Sequence, residues 1–387
     1  MKWKVPLFDL RLGAADRRAV DRAMATNWIT MGPITEEFER RVAQLVGTRY
    51  AFAVSSGTAA LHMAFAAIGV GPGDEVLCPS LSFVATANAV VMTGATPVFV
   101  DIVSSRCLHI SPEDIERKIT PKTKAVATVD YAGYPVDLSR IAPHLRKRGI
   151  AIVEDAAHSI GAQLNRRMCG ALGDVGCFSF YSNKNITTAE GGMVVTSDDH
   201  LAGRLRLLRS HGMTTLSYER HQGHSFDYDV LLAGHNYRID ELRSALGIAQ
   251  LQRLEQQNAR RERIVTRYRK ELAPISGLIV PFAGCKGRPT YHIMSILLPP
   301  GADRHAVMVF LREHGIQTSI HYRPIHTFTY YQRIIGKETH LPCLEAVAPR
   351  LLTLPLFPHM TEGQLTWVVR CLKEALAGAR RKARPAI

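Results

Sequence analysis

No apolar stretch in the 387-residue sequence approaches the roughly 18–20 residues that a membrane-spanning helix requires. The chain start, Met1-Lys2-Trp3-Lys4-Val5-Pro6-Leu7-Phe8-Asp9, has basic residues but lacks the apolar core and small-residue cleavage site of a secretory leader. The expected location is therefore the cytoplasm, without a membrane partner. Cysteine is sparse and unpatterned: the seven residues at 78, 107, 169, 177, 285, 343 and 371 form no C-x-x-C pair. A chain of this size needs no disulfide staples, so these read as structural thiols and no metal site is expected. Internal repeats are lacking, and so are low-complexity tracts outside the C-terminal tail.

Acidic residues are in deficit, 34 Asp and Glu against 48 Lys and Arg, for a net charge of +14. Such a balance attracts polyanions. The basic residues are nevertheless spread along the chain, and the one dense cluster, Arg380-Arg381-Lys382-Ala383-Arg384, lies in a Pro-containing tail. A solvated tail accounts for it, and no nucleic-acid partner is expected. A positive field also suits a phosphorylated cofactor and a nucleotide diphosphate substrate.

From about 50 to 200, short apolar runs alternate with helical patterns, as in βαβ units around a mainly parallel sheet. Strands are predicted at Ala51–Val54, Glu75–Pro79, Thr96–Val100, Ala125–Val129, Ala151–Glu154, Cys177–Phe180 and Met193–Thr196. Helices are predicted at Thr58–Ala67 and Leu138–Arg148, and one long connecting helix at Asp240–Leu272. Beyond it a strand (Tyr291–Leu298) and helices (Arg304–Glu313, Glu362–Ala377) define a smaller α/β domain. We divide the chain at 255, with residues 1–255 as the large domain and 256–387 as the small one.

Three segments carry chemistry. Ile152-Val153-Glu154-Asp155 ends a strand in a carboxylate, at the sheet edge where such folds bind ligands; Asp155 either serves a ligand there or caps the following turn. In Cys177-Phe178-Ser179-Phe180-Tyr181-Ser182-Asn183-Lys184, a single lysine lies among small and polar residues between two buried strands. An amine partly withdrawn from water loses its proton more readily and can attack an aldehyde. A carboxylate such as Asp155 beside a pyridine nitrogen would keep that ring protonated as an electron sink. Finally, Val54-Ser55-Ser56-Gly57-Thr58 leads a strand through a Ser/Gly turn into a helix, aiming free amides at whatever sits above, with Ser179 a second contributor to a phosphate clamp.

These segments, together with Trp28-Ile29-Thr30-Met31-Gly32-Pro33, Gly71-Pro72-Gly73-Asp74-Glu75-Val76, Gly94-Ala95-Thr96-Pro97-Val98-Phe99-Val100-Asp101, Glu154-Asp155-Ala156-Ala157-His158, Glu190-Gly191-Gly192, Asn236-Tyr237-Arg238 and Leu354-Pro355-Leu356-Phe357-Pro358, run nearly end to end. In this the sequence resembles the DegT/DnrJ/EryC1/StrS family of sugar aminotransferases. The resemblance implies fold type I of the pyridoxal 5'-phosphate (PLP) dependent transferases, the aspartate-aminotransferase-like α/β architecture. It implies Lys184 as the Schiff-base lysine and proton shuttle, Asp155 at the pyridine nitrogen, and His158 near the phenolic oxygen. Gly57, Thr58 and Ser179 match phosphate-binding positions. Phe83 matches an aromatic that stacks on the ring, or else is a core residue. Asn236 matches a residue lent by a second subunit, which implies a homodimer with shared sites. Thr30, His321 and Tyr322 match regions facing a nucleotide sugar, with ordinary packing as the alternative.

A branch of the family that removes a hydroxyl instead carries histidine at the lysine position, so Lys184 points to transamination. His158, where many relatives carry Gln, and Tyr131-Ala132-Gly133 resemble members that aminate UDP-linked 4-keto sugars. The implied reaction moves an amino group, with L-glutamate as donor, to C4 of a nucleotide-linked keto sugar. A keto-cyclitol acceptor of antibiotic biosynthesis, or a non-catalytic regulatory protein on the same fold, are the alternatives.

Overall fold

The computed structural model describes residues 3–215, 218, 223, 227–335 and 339–382. At its centre are seven strands: β1 (Tyr50–Val54), β2 (Glu75–Pro79), β3 (Thr96–Val100), β4 (Thr123–Val129), β5 (Ala151–Asp155), β6 (Val175–Ser179) and β7 (Gly192–Thr196). They lie in the order β1-β7-β6-β5-β4-β2-β3. The pairs β6–β5, β5–β4, β4–β2 and β2–β3 are parallel, whereas β7 runs antiparallel to both β1 and β6. The sheet is thus mainly parallel with one reversed strand, as expected for an α/β fold.

The period-two alternation of a strand explains how both faces are covered. Phe52 and Val54 of β1, with Val76, Val153 and Val194, join a core that includes α3 (Gly57–Ala67). Their neighbours Ala51, Ala53, Phe178, Met193 and Val195 face the other way, onto Phe38 and Val42 of α2 (Pro33–Val46). Leu77, Val126 and Ile152 meet Leu145 of the short helix Ala142–Lys147 on that same side. This helix is shorter than the predicted Leu138–Arg148, its start being set by Pro143 in the first turn.

The single connecting helix expected over Asp240–Leu272 is two helices, Glu241–Leu251 and Leu254–Leu272. Arg253 stands at the break, its guanidinium 2.6 Å from both carboxylate oxygens of buried Asp16, which also accepts from Gln250 at 2.8 Å. The first of the two packs Ala245 and Ala249 against Ala19 and Ala23 of the N-terminal helix Ala14–Ala25. The second carries Val265, Tyr268 and Leu272 into a separate core with the antiparallel strands Met294–Leu297 and Leu351–Leu354 and the helices Arg304–Glu313 and Glu362–Lys382. Val5, from the chain start, is buried in that core too and bridges to Ile316. The last helix runs on into the basic cluster, whose residues 383–387 lie outside the described residues, as do all side chains from 379 onward. Among the described residues no helix is long and apolar enough to cross a membrane.

Candidate active site

The carboxyl ends of β1, β2, β4, β5 and β6 all open on one side, the edge at which open α/β sheets collect ligands. A cavity of ≈ 450 Å³ lies there, lined by Gly57, Thr58, Phe83, Asp155, His158, Ser179, Lys184, His321 and Tyr322 among others. These are nine of the eleven residues singled out from the sequence. A larger space of ≈ 730 Å³ at the opposite end of the strands, beside Ala151 and Arg204, holds none of them.

One wall is built by close backbone approach. Ser56 caps α3, its Oγ accepting from the Ala59 amide at 3.1 Å. The first amides of a helix, here those of Gly57 and Thr58, have no intrahelical acceptor and carry the positive end of the dipole. A Cβ on Gly57 would sit 2.8 Å from Ser179 Cβ, and one on Gly192 would sit 2.4 Å from the Ser56 carbonyl oxygen. Only glycine lets the end of β6, the start of β7 and the turn into α3 meet so closely. The helix end and the Ser179 hydroxyl therefore share one corner, suited to a phosphate.

Asp155 ends β5 and is 6% exposed. Its carboxylate accepts from Thr86 Oγ1 at 2.6 Å and from the Ala157 amide at 3.2 Å. Burial raises its pKa, while these two donors and the charge of Lys184 oppose the rise. Lys184 follows β6 in a loop whose amide donates to the Tyr181 carbonyl. Burial brings its ammonium down to about 8, with the negative charge of Asp155 holding it up. At neutral pH an appreciable share of the amine is therefore unprotonated.

His158 stands between two rings, 4.3 Å from His292 and 6.2 Å from Tyr322 by centroid. Its Nε2 is 3.2 Å from the Tyr322 hydroxyl, and its buried Nδ1 has no partner among the described residues. Burial, reinforced by Lys184 and His321, puts its pKa well below the ordinary histidine range, so the ring is neutral. His321 is brought down to about 4 by burial, helped by Lys184.

Phe83 is 57% exposed and lines the cavity with its ring 5.9 Å from that of Tyr322. That removes the core alternative for Phe83. Thr30 and Asn236 do not line the cavity; both are exposed in this chain.

Sequence reasoning missed the supports. Thr86, in α4 (Ala85–Met92), is an inward-facing helical threonine with no motif to mark it. Asn185 donates to Asn258 Oδ1 at 2.7 Å and to the Thr290 carbonyl at 3.0 Å, and its Oδ1 lies 2.9 Å from His292 Nδ1. Because both amide hydrogens are engaged, Oδ1 must accept, which places the His292 proton on Nδ1. Thr290 Oγ1 donates to the His158 carbonyl at 2.7 Å. Gly133, at φ +87, allows the segment carrying Thr290 to approach, since a Cβ there would meet Thr290 Oγ1 closely.

A mainly parallel sheet with one reversed strand, and a lysine and an aspartate facing one cavity at its carboxyl edge, are the architecture of the PLP-dependent aminotransferases. The chain belongs to the DegT/DnrJ/EryC1/StrS aminotransferase family, whose sequence model matches residues 11–373. It is 38% identical over 374 residues to the spore coat polysaccharide biosynthesis protein SpsC of Bacillus subtilis, spanning 95% of this chain and 96% of that one. Among solved structures it is similar to DesV of S. venezuelae, with 32% identity, a TM-score of 0.89 and complete coverage of both chains. It is also similar to Helicobacter pylori PseC, an aminotransferase of pseudoaminic acid biosynthesis, at 26% identity and a TM-score of 0.90, over 98% of this chain and 100% of that one. The protein is a sugar aminotransferase of the PLP-dependent class.

Proposed function

We propose that the enzyme transfers an amino group from an amino acid, L-glutamate, to a nucleotide-linked keto sugar, at C4 of a 4-keto sugar. The observation that carries this reading is the facing of Lys184 and Asp155 across one cavity whose corner is a helix N-terminus. The cavity fits PLP on three counts: the glycine-built corner for its phosphate, the unpartnered buried His158 Nδ1, and the exposed Phe83 ring.

When bound, PLP supplies an aldehyde that accepts amines and a pyridinium that draws off electrons. Gly57, Thr58 and Ser179 would hold its phosphate through amides and a hydroxyl. Asp155, oriented by Thr86 and the Ala157 amide, would accept a hydrogen bond from the ring nitrogen and keep that nitrogen protonated. Phe83 would cover one face of the ring. His158, neutral and held by Thr290, would meet the phenolic oxygen without adding a second charge beside Lys184. The Lys184 amine, part of which is unprotonated near neutrality and more of which becomes so toward pH 8, would act as the nucleophile toward the aldehyde and as the group that moves protons at the reacting carbons. His321 and Tyr322 line the same cavity and would meet the acceptor sugar there.

The enzyme works as a homodimer in this reading, with Asn236 of one protomer completing the partner's cavity. Support comes from the exposure of Asn236 and of the neighbouring Tyr228, Val230 and Leu231, an apolar stretch suited to an interface. Thr30 would face the nucleotide sugar on the same shared side. The division at 255 stands as a proposal, supported by the second core, in which Val5, Val265, Tyr268 and Leu272 meet Met294, Leu311 and Leu372. No feature of the cavity favours a cyclitol acceptor, and the intact Lys184–Asp155 pair speaks for catalysis over a purely regulatory role. The cytoplasm remains the proposed location.

The test is a screen of 4-keto and 3-keto nucleotide sugars with L-glutamate, read by mass spectrometry. A product one amino group richer from a 4-keto sugar is expected. Amination of 3-keto substrates alone, or of none, would overturn the acceptor assignment.

A further inference from the structure

Behind the Lys184 loop lies a second cavity, ≈ 250 Å³, between the N-terminal segment and the helix Leu254–Leu272. Lys184 borders both spaces. Cations crowd this one: Arg11, Arg253, Arg260 and Arg261 all line it. Two of them are already matched. Arg253 is held by Asp16 at 2.6 Å, and Arg11 lies 3.4 Å from Asp9, which His359 also contacts at 2.6 Å.

Arg261 is different. It is 6% exposed, and among the described residues no carboxylate lies within 4.0 Å of it and no side chain or backbone group forms a hydrogen bond with it. Its Nε is buried without a partner. A buried cation without a counter-charge is costly, and proteins tolerate one where a ligand supplies the missing anion. Burial alone pushes its pKa down, to about 10, with no carboxylate acting against it. Gln257, which also lines the cavity, can add a side-chain N–H donor. The guanidinium fork matches a carboxylate or phosphate in two parallel bonds. The volume suits a small oxyanion group and is too small for a whole nucleotide sugar.

We infer that this cavity is an oxyanion site, distinct from the cofactor's phosphate corner, in which Arg261 binds a carboxylate or phosphate group beside the Lys184 loop. If the amino-transfer reading above holds, the donor's side-chain carboxylate is one source and the phosphates of a nucleotide the other. Both present the same chemistry to the guanidinium, and Asp9 in the same lining is already paired with Arg11 and His359.

The test uses PLP-loaded enzyme, whose phosphate corner is already filled, and two probes that cannot react: glutarate and inorganic phosphate. Each is titrated by calorimetry and by thermal shift. Wild-type enzyme should bind at least one of them with a salt-sensitive affinity and a rise in Tm. Arg261→Met, which replaces the cation by a well-sized apolar chain, should bind about tenfold more weakly or worse and lose the anion-dependent rise. Arg260→Met, at a partly exposed position of the same cavity, should fold normally and weaken binding by a smaller factor. Preference for glutarate assigns the site to the donor, and preference for phosphate assigns it to phosphate esters. No binding by wild type at millimolar probe, or unchanged binding in both variants, overturns the site. Because neither probe turns over, a negative result leaves the amino-transfer reading standing, and an inactive enzyme that binds a probe leaves the site standing.

Discussion

Glu154 and Asp155 are neighbours on β5, are buried to 2% and 6% exposure, and end up in opposite chemical circumstances. The strand's alternation sends them to different faces. Asp155 meets Lys184 in the cavity. Glu154 turns to the other side, where it accepts from the amides of Gly170, at 2.8 Å, and Gly173 but finds no cation among the described residues, and where Asp130 adds a like charge. Burial first, and Asp130 second, push the Glu154 carboxyl well above its ordinary range. Burial raises both carboxyls; what separates them is that Thr86, the Ala157 amide and the Lys184 charge oppose the rise at Asp155, whereas at Glu154 the like charge of Asp130 adds to it.

The comparison can be broken in four ways. Replacing the amine itself, Lys184→Ala, should lower full turnover by about 10³-fold or more. Steady-state amino transfer measures it, and near wild-type activity would remove Lys184 from its role. Asp155→Asn should cost about 10²-fold in kcat, whereas Glu154→Gln should change kcat by no more than about twofold. Equal losses in the two would show that the cavity face is not special.

A third effect is a shift in pH. The rate at which apoenzyme takes up PLP, followed by absorbance, should rise with pH through a midpoint near 8, as the Lys184 ammonium loses its proton. Asp155 holds that value up, so Asp155→Asn should move the midpoint lower, and Glu154→Gln should leave it in place. The smallest effect concerns stability. A carboxyl whose folded pKa is raised binds its proton more tightly in the native state, so its contribution is complete below the ordinary glutamate value of about 4.3 and is lost as pH climbs above it. Wild-type Tm should fall between pH 6 and pH 8.5 by about 2 °C more than that of Glu154→Gln. Parallel profiles would show that Glu154 is ionised in the native protein.

The cavity face was largely legible because its chemistry sits at strand ends. Asp155, Ser179, Gly57 and Lys184 each follow a run whose period marks a buried strand, and a parallel sheet gathers such ends without further information. What sequence reading lost depends on partners distant along the chain. The break in Asp240–Leu272 is set by Arg253 reaching Asp16, 237 positions away. Asn185 was visible beside the lysine, but its bonds to Asn258 and His292 span 73 and 107 positions. Arg261 lies in a run of charges, Arg260-Arg261-Glu262-Arg263, where helical periodicity alone does not mark which of them turns inward. Thr30 and Asn236 do not line the single-chain cavity, so no contact within one chain marks them as part of the site.

The reversal of β7 has a mechanical consequence for the lysine. Ser179 pairs with Gly192, and the Phe180 amide donates to the Gly191 carbonyl at 2.9 Å, so the excursion carrying Lys184 leaves and re-enters the sheet at adjacent points. It is a tethered lobe with both feet on the same rigid floor. Its crest has one further brace: Asn185, beside the lysine, donates to Asn258 and to the Thr290 carbonyl, so the C-terminal layer steadies the amine from the side away from the sheet.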